Sequence, residues 1–341
     1  MTTLLANHSV SEREWAEIVD RLSRRRFLGI GAGVVATVAL AGCSTAESTP
    51  SAETVSYGWG DFTGQVPKDP QRVVVLDGRV DLEFALMMGY PIVGSGNSWF
   101  PNQPIGFQFP GRTVAGAQAV NNAGSYTINY EALLDLEPDL IVMTQIGYSS
   151  DWYGNERLAA IAPLLVVGDD VPRTGGGPVD WRGALTGQAT QLGRTRETEV
   201  AVAGYDDRLA QLRPLLQERL GGKKIALCVY TESGVLVHQR TLTTSVGIDA
   251  GLDLAFRDDH NADNSIELSL EQLDQLSDVD LIIVQSAKAG AVPPTSVSPT
   301  WLRLPAVQAG KVITTDARYN QGFALTATIF LDVLEQGAQM F

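Results

Sequence analysis

The chain has 341 residues, with 25 basic against 39 acidic side chains and a formal net charge of −14. Hydrophobic residues make up 44% and charged residues 19%, which excludes a disordered polymer and leaves material for one large domain or two ordinary ones. Two cysteines and three histidines exclude a disulfide framework and a four-thiolate metal site, and the lack of a basic cluster beyond residue 26 argues against a nucleic-acid surface.

The first segment reads as an address. Arg24-Arg25-Arg26-Phe27-Leu28 follows a polar leader, and residues 29–41 carry no charge. That apolar stretch is short for a bilayer span and rich in Gly and Ala, as in the hydrophobic part of an export signal. The twin arginine resembles the Tat motif, with Gly29 where that motif usually has Lys, so the Sec route stays open. Leu40-Ala41-Gly42-Cys43 resembles a bacterial lipobox, which implies cleavage before Cys43 and lipidation of its thiol. The plainer alternative is an ordinary cysteine closing an anchor helix. Residues 1–42 are therefore assigned to a signal peptide and residues 43–65, which open on a Ser-, Thr-, Glu- and Pro-containing stretch, to a flexible tether. A chain so anchored sits on the outer face of the cytoplasmic membrane without spanning it. Without the leader the net charge is −15, and Cys228, in an apolar run, is expected to be a buried thiol.

The folded part alternates strands and helices. In residues 66–180, apolar runs predict strands at 72–77, 91–94, 140–143 and 164–167, with helices at 82–88 (closed by Gly89), 128–136 and 158–161. This order, without tight hairpins, implies a mostly parallel sheet covered on both faces. Residues 221–341 repeat it, with strands at 224–230, 281–284 and 310–314 and helices at 244–250, 270–276 and 324–337. Residues 129–142 and 269–284 echo one another: polar cap, Glu, apolar helix, acidic turn, buried strand. Between the halves, residues 181–220 read as one long bridging helix, with Pro214 expected to kink or interrupt it near its end.

Several blocks resemble class III periplasmic binding proteins, the substrate-binding subunits of ABC importers. They are the helix ending in Leu86-Met87-Met88-Gly89-Tyr90, the Tyr130-Glu131 and Glu137-Pro138-Asp139-Leu140-Ile141 pair, Leu192-Gly193-Arg194, and Trp301-Leu302 with Leu304-Pro305-Ala306-Val307. The resemblance covers about residues 66–337 and implies an α/β fold: two Rossmann-like lobes joined by one stiff helix, with ligand held between them. It further implies a monomer that delivers a ferric siderophore, haem, ferric citrate or cobalamin to a membrane permease.

Loops after the strands should line such a cleft. The candidates are Arg79, Trp99, Tyr148, Trp152, Arg240 and Tyr319, aromatic rings for stacking and guanidinium groups for metal-bound oxygen charge. Each aromatic could instead pack its own loop. The resemblance makes Glu131 and Glu271 permease-docking residues, one per lobe at matching helix starts; the alternative is an acid favoured by the helix dipole. His238, His260 and the acidic run at 258–259 are too few for a dedicated metal carrier, so iron is expected to arrive inside a chelator, hydroxamate-type or mixed. An enzyme finds little support. Gly29 to Gly33 lies inside the signal rather than after a strand, Gly175-Gly176-Gly177-Pro178 has no strand leading into it, and no nucleophile elbow occurs. An envelope scaffold without an importer is the other alternative.

Overall fold

The computed structural model describes Trp15 and residues 53–97, 99–100, 102–112, 114–121, 127–172, 178–257, 264–286, 294–316 and 318–341. Cys43, the rest of the signal segment, the tether up to residue 52, and the loops at 175–177, 258–261 and 287–288 lie outside the described residues.

Two sheets organise the chain. The first takes β3 (Val73–Val75), β4 (Ile92–Ser95), β5 (Gln118–Ala119), β6 (Leu140–Thr144) and β7 (Leu164–Val167) in the order β5-β4-β3-β6-β7. All four pairings are parallel. Three apolar runs, Val73–Val75, Leu140–Thr144 and Leu164–Val167, are buried throughout, as strands covered on both faces must be. Helix α1 (Val80–Met87) ends before Gly89 at φ +67, the left-handed stop expected there.

The second sheet repeats this plan and departs from it. β8 (Lys224–Tyr230), β12 (Leu281–Gln285) and β13 (Val312–Thr315) are parallel, and β10 (Asp253–Leu254) adds to β8 in the same sense. β9 (Gly234–His238) instead turns back antiparallel on β8 and pairs with β11 (Ser265–Ser269), so the lobe contains a hairpin the alternation did not predict. β6 and β12, the strands of the sequence echo, hold the same place in each sheet: next to the central strand, where the order reverses.

Residues 54–65, assigned to the tether, are folded. β1 (Thr54–Trp59) and β2 (Phe62–Pro67) form a hairpin closed by Gly60-Asp61, with Gly60 at φ +56. Tyr57, Trp59, Phe62 and Val66 are buried, and this apolar surface outweighs the chain entropy that a tether would keep. The Tyr57 hydroxyl donates to the Val166 carbonyl (2.8 Å), which docks the hairpin beside β7.

The bridge is two helices, not one. After β7 come α5 (Trp181–Gln191) and α6 (Thr195–Leu220), following the short α2 (Tyr130–Asp135), α3 (Gln145–Ser149) and α4 (Asn155–Ile161). The break is at Gly193, φ +69. The Arg194 N–H reaches the Ala189 carbonyl (2.8 Å) and the Gly193 N–H that of Thr190 (3.1 Å), a Schellman cap. Arg194 then donates to the Met88 and Lys68 carbonyls (3.0 and 3.1 Å), tying the elbow to the first lobe. Pro214 does not interrupt α6. Its ring and Ala210, whose carbonyl loses its partner, lie on the exposed face, while Leu209, Leu212, Leu216 and Leu220 are buried on the other.

In the second lobe, α7 (Leu242–Asp249) and the C-terminal α10 (Ala324–Ala338) follow the predicted helices, with α8 (Pro299–Leu302) and α9 (Pro305–Gln308) between. The helix expected at 270–276 is only a 3-10 turn, Leu273–Leu276, preceded by the turn that leaves β11 at Ser269. One hydrophobic core runs through the first lobe, the bridge and α10; Trp301, Tyr230 and their neighbours form a second on the far side of the second sheet.

Candidate functional site

The lobes meet at the ends of their strands. Asp81, wholly buried, shapes the loop after β3: its carboxylate accepts the backbone N–H groups of Leu76, Asp77, Gly78, Arg79 and Leu82 at 2.7–3.2 Å. Burial, with the Asp77 carboxylate beside it, raises its pKa against the pull of those donors. Gly78, at φ +80, passes so close to the Gly96 carbonyl that a Cβ would collide with it. This loop holds Arg79 at the point where the strand order of the first sheet reverses, the usual ligand position of an open α/β sheet.

Arg79 donates to Asp77 (Nε to Oδ2, 3.2 Å) and its guanidinium lies 3.7 Å from the Trp99 ring centroid. The Trp99 indole N–H donates to the other Asp77 oxygen (3.1 Å). Arg79 also crosses to the second lobe, where it donates to Gln321 Oε1 (3.1 Å). Opposite, Arg240 pairs with Asp170, which follows β7 in the first lobe. Asp169 accepts the Gly322 N–H (2.9 Å), and burial pushes its pKa up to about 6. Arg318 forms a two-bond pair with Asp316 (2.7 and 2.5 Å), and its guanidinium lies 4.8 Å from the ring of Phe107, which packs edge-on against Phe100. The Tyr319 ring packs at a tilt against Phe330, centroids 5.6 Å apart.

Arg79, Trp99 and Arg240 thus lie where the two lobes touch, and Tyr319 sits on the second-lobe loop that carries Arg318 and Gln321. Tyr148 and Trp152 are held by other contacts: Tyr148 packs edge-on against Phe62 of the hairpin (5.3 Å) and Trp152 against Tyr153 (6.4 Å). Sequence reasoning puts Asp77 and Arg318 on cleft-lining loops without singling them out, and passes over Phe107, Asp169, Asp170 and Asp316. The signal was the repeated placement of Asp at a strand end, as in Asp77-Gly78-Arg79, Asp169-Asp170 and Asp316-Ala317-Arg318.

His238 lies buried in the second lobe, where desolvation lowers its pKa to about 4 and keeps the ring neutral; Nδ1 is 3.1 Å from the Ser265 hydroxyl. With Gln285, Thr315 and Tyr319 it lines a cavity of about one water's size. Cys228 is buried, and burial pushes its thiol up to about 12. Among the described residues no group of three or more His, Cys, Asp and Glu side chains is disposed to hold a metal ion.

Glu131 and Glu271 are both exposed. Glu131 is in the first turn of α2, capped by the Asn129 side chain. Glu271 is not at a helix start: it sits in the turn after β11, and the Ser269 hydroxyl donates to it (2.7 Å) and lowers its pKa.

Residues 100–319 match the profile of the family described as Periplasmic binding protein. The iron(3+)-hydroxamate-binding protein FhuD of Bacillus subtilis is 27% identical over 184 residues, 54% of this chain and 51% of that one, so the chain spans about half the length of this relative. Its namesake in Escherichia coli is 24% identical over 276 residues, 78% of this chain and 86% of that one. The solved structure of an FhuD-fold periplasmic binding protein component of a ferrichrome ABC transporter from Bacillus subtilis superposes with a TM-score of 0.64 at 22% identity, covering 83% of this chain and 98% of that one. The chain belongs to the periplasmic binding protein family.

Proposed function

We propose that this protein captures a ferric siderophore, hydroxamate or mixed in type, between its lobes and hands it unaltered to an ABC permease. The observation that carries this reading is the Arg79–Trp99 stack at the reversal point of the first sheet, from which Arg79 reaches Gln321 of the second lobe. A planar cation on a rigid ring offers a flat chelate both apolar area and hydrogen bonds. The names of the two FhuD relatives support the ligand class. Glu131 and Glu271, exposed one on each lobe, are the residues proposed to meet the permease, and Cys43 the residue proposed to carry the lipid after export.

Tryptophan-fluorescence titration with a ferric trihydroxamate, ferric citrate, haem and cobalamin tests the reading. Saturable quenching by the trihydroxamate and none by its iron-free form is expected; quenching by cobalamin alone overturns it. Incorporation of labelled palmitate that is lost in Cys43→Ala tests the anchor.

A further inference from the structure

The three crevice arginines are all engaged by carboxylates of the same chain: Arg79 by Asp77, Arg240 by Asp170, Arg318 by Asp316. Asp169 adds a fourth carboxylate beside Arg79. The pairs are sheltered, with side-chain exposures of 13% and 1% for Arg79 and Asp77, 16% and 21% for Arg240 and Asp170, and 25% each for Arg318 and Asp316.

A guanidinium carries five N–H groups and need not give up its carboxylate to bind, but its charge is already balanced there, so an anionic ligand meets that sheltered carboxylate at short range and gains little net attraction. Asp77 is the strongest case, since its other oxygen is already fixed by the Trp99 indole. A neutral chelate can stack on Trp99 without breaking any pair, and a cationic one gains from the excess of acid over base. We propose that Asp77, Asp170 and Asp316 are specificity determinants that discharge the crevice arginines and restrict the cargo to ferric chelates of zero or positive net charge. The inference rests on the siderophore reading above and adds a charge rule to it.

The test uses the full chain and one iron centre in three charge states: a linear ferric trihydroxamate with a free terminal ammonium, the same chelate acetylated there, and the same chelate succinylated there. The cationic and neutral forms are expected to bind about tenfold or more tightly than the anionic form, with Asp170→Asn and Asp316→Asn each narrowing that gap. The unmodified protein decides the rule by itself, so a poorly folding variant does not obscure it. If all three bind and the anionic form equals or exceeds the others, the charge rule falls while the siderophore reading stands. If none binds, the siderophore reading fails and the charge rule with it.

Discussion

The Glu83 carboxylate, on α1 of the first lobe, accepts the backbone N–H of Phe323, at the start of α10 in the second, at 2.8 Å. It also accepts the N–H groups of Leu325 and Thr326 and the Thr326 hydroxyl, so one lobe caps the first turn of a helix in the other. The Phe84 and Phe323 rings pack beside it, 5.8 Å apart. Glu83→Ala leaves these buried donors unpaired and is expected to cost about 3 kcal/mol in urea unfolding.

The same carboxyl sets a pH dependence. Burial pushes Glu83 from 4.5 up to about 7, against the pull of its four donors. The native state therefore keeps a proton that the unfolded chain releases, and this contribution to stability is complete below about pH 4.5 and is lost as pH rises through about 7. Asp169, raised from 3.8 to about 6, acts in the same direction. The urea midpoint should be higher at acidic than at alkaline pH across this range, and Glu83→Gln should flatten the slope; an unchanged slope in the variant would refute the assignment.

Arg79→Lys keeps the charge but loses the planar group over Trp99 and the fork that reaches both Asp77 and Gln321. A loss of roughly 1–3 kcal/mol in thermal unfolding is expected, with chelate affinity reduced as well. Affinity equal to that of the unmodified protein would remove Arg79 from the site.

Replacing Glu131 and Glu271 together by Ala should abolish uptake of the chelate by cells while the purified protein binds it as before. Both side chains are exposed. A parallel loss of affinity would point to misfolding and against docking.

Gly193→Ala forces a Cβ onto a residue at φ +69. Nothing crowds the position, so the cost is backbone strain alone, about 1–2 kcal/mol by calorimetry. Arg194→Ala should cost a similar amount by freeing the elbow from the Met88 and Lys68 carbonyls.

What the sequence disclosed follows from how local each signal is. The buried strands stood out because Leu140-Ile141-Val142-Met143 and Leu281-Ile282-Ile283-Val284 must be apolar on both faces. Helix ends marked by Gly89 and Gly251 were legible because the left-handed stop is intrinsic to glycine. The first hairpin was missed although Gly60-Asp61, flanked by Trp59 and Phe62, is a two-residue turn signal; the polar run before it drew the tether boundary too far. Gly193 carried the bridge break and Pro214 did not, because tertiary packing of Leu212 and Leu216 overrides a proline whose ring faces water. The ion pairs of the crevice are non-local: Arg240 and Asp170 are 70 positions apart, and nothing in either neighbourhood announces the other.

The folded hairpin shortens the leash. Were Cys43 lipidated as proposed, about ten residues would separate it from Glu53, whose carbonyl accepts the Lys68 N–H, a contour of at most about 35 Å. A free span running to residue 65 would more than double that. On the proposed anchor, the hairpin would thus hold the folded body closer to the lipid surface, and to a permease in it, than a tether running to residue 65 would.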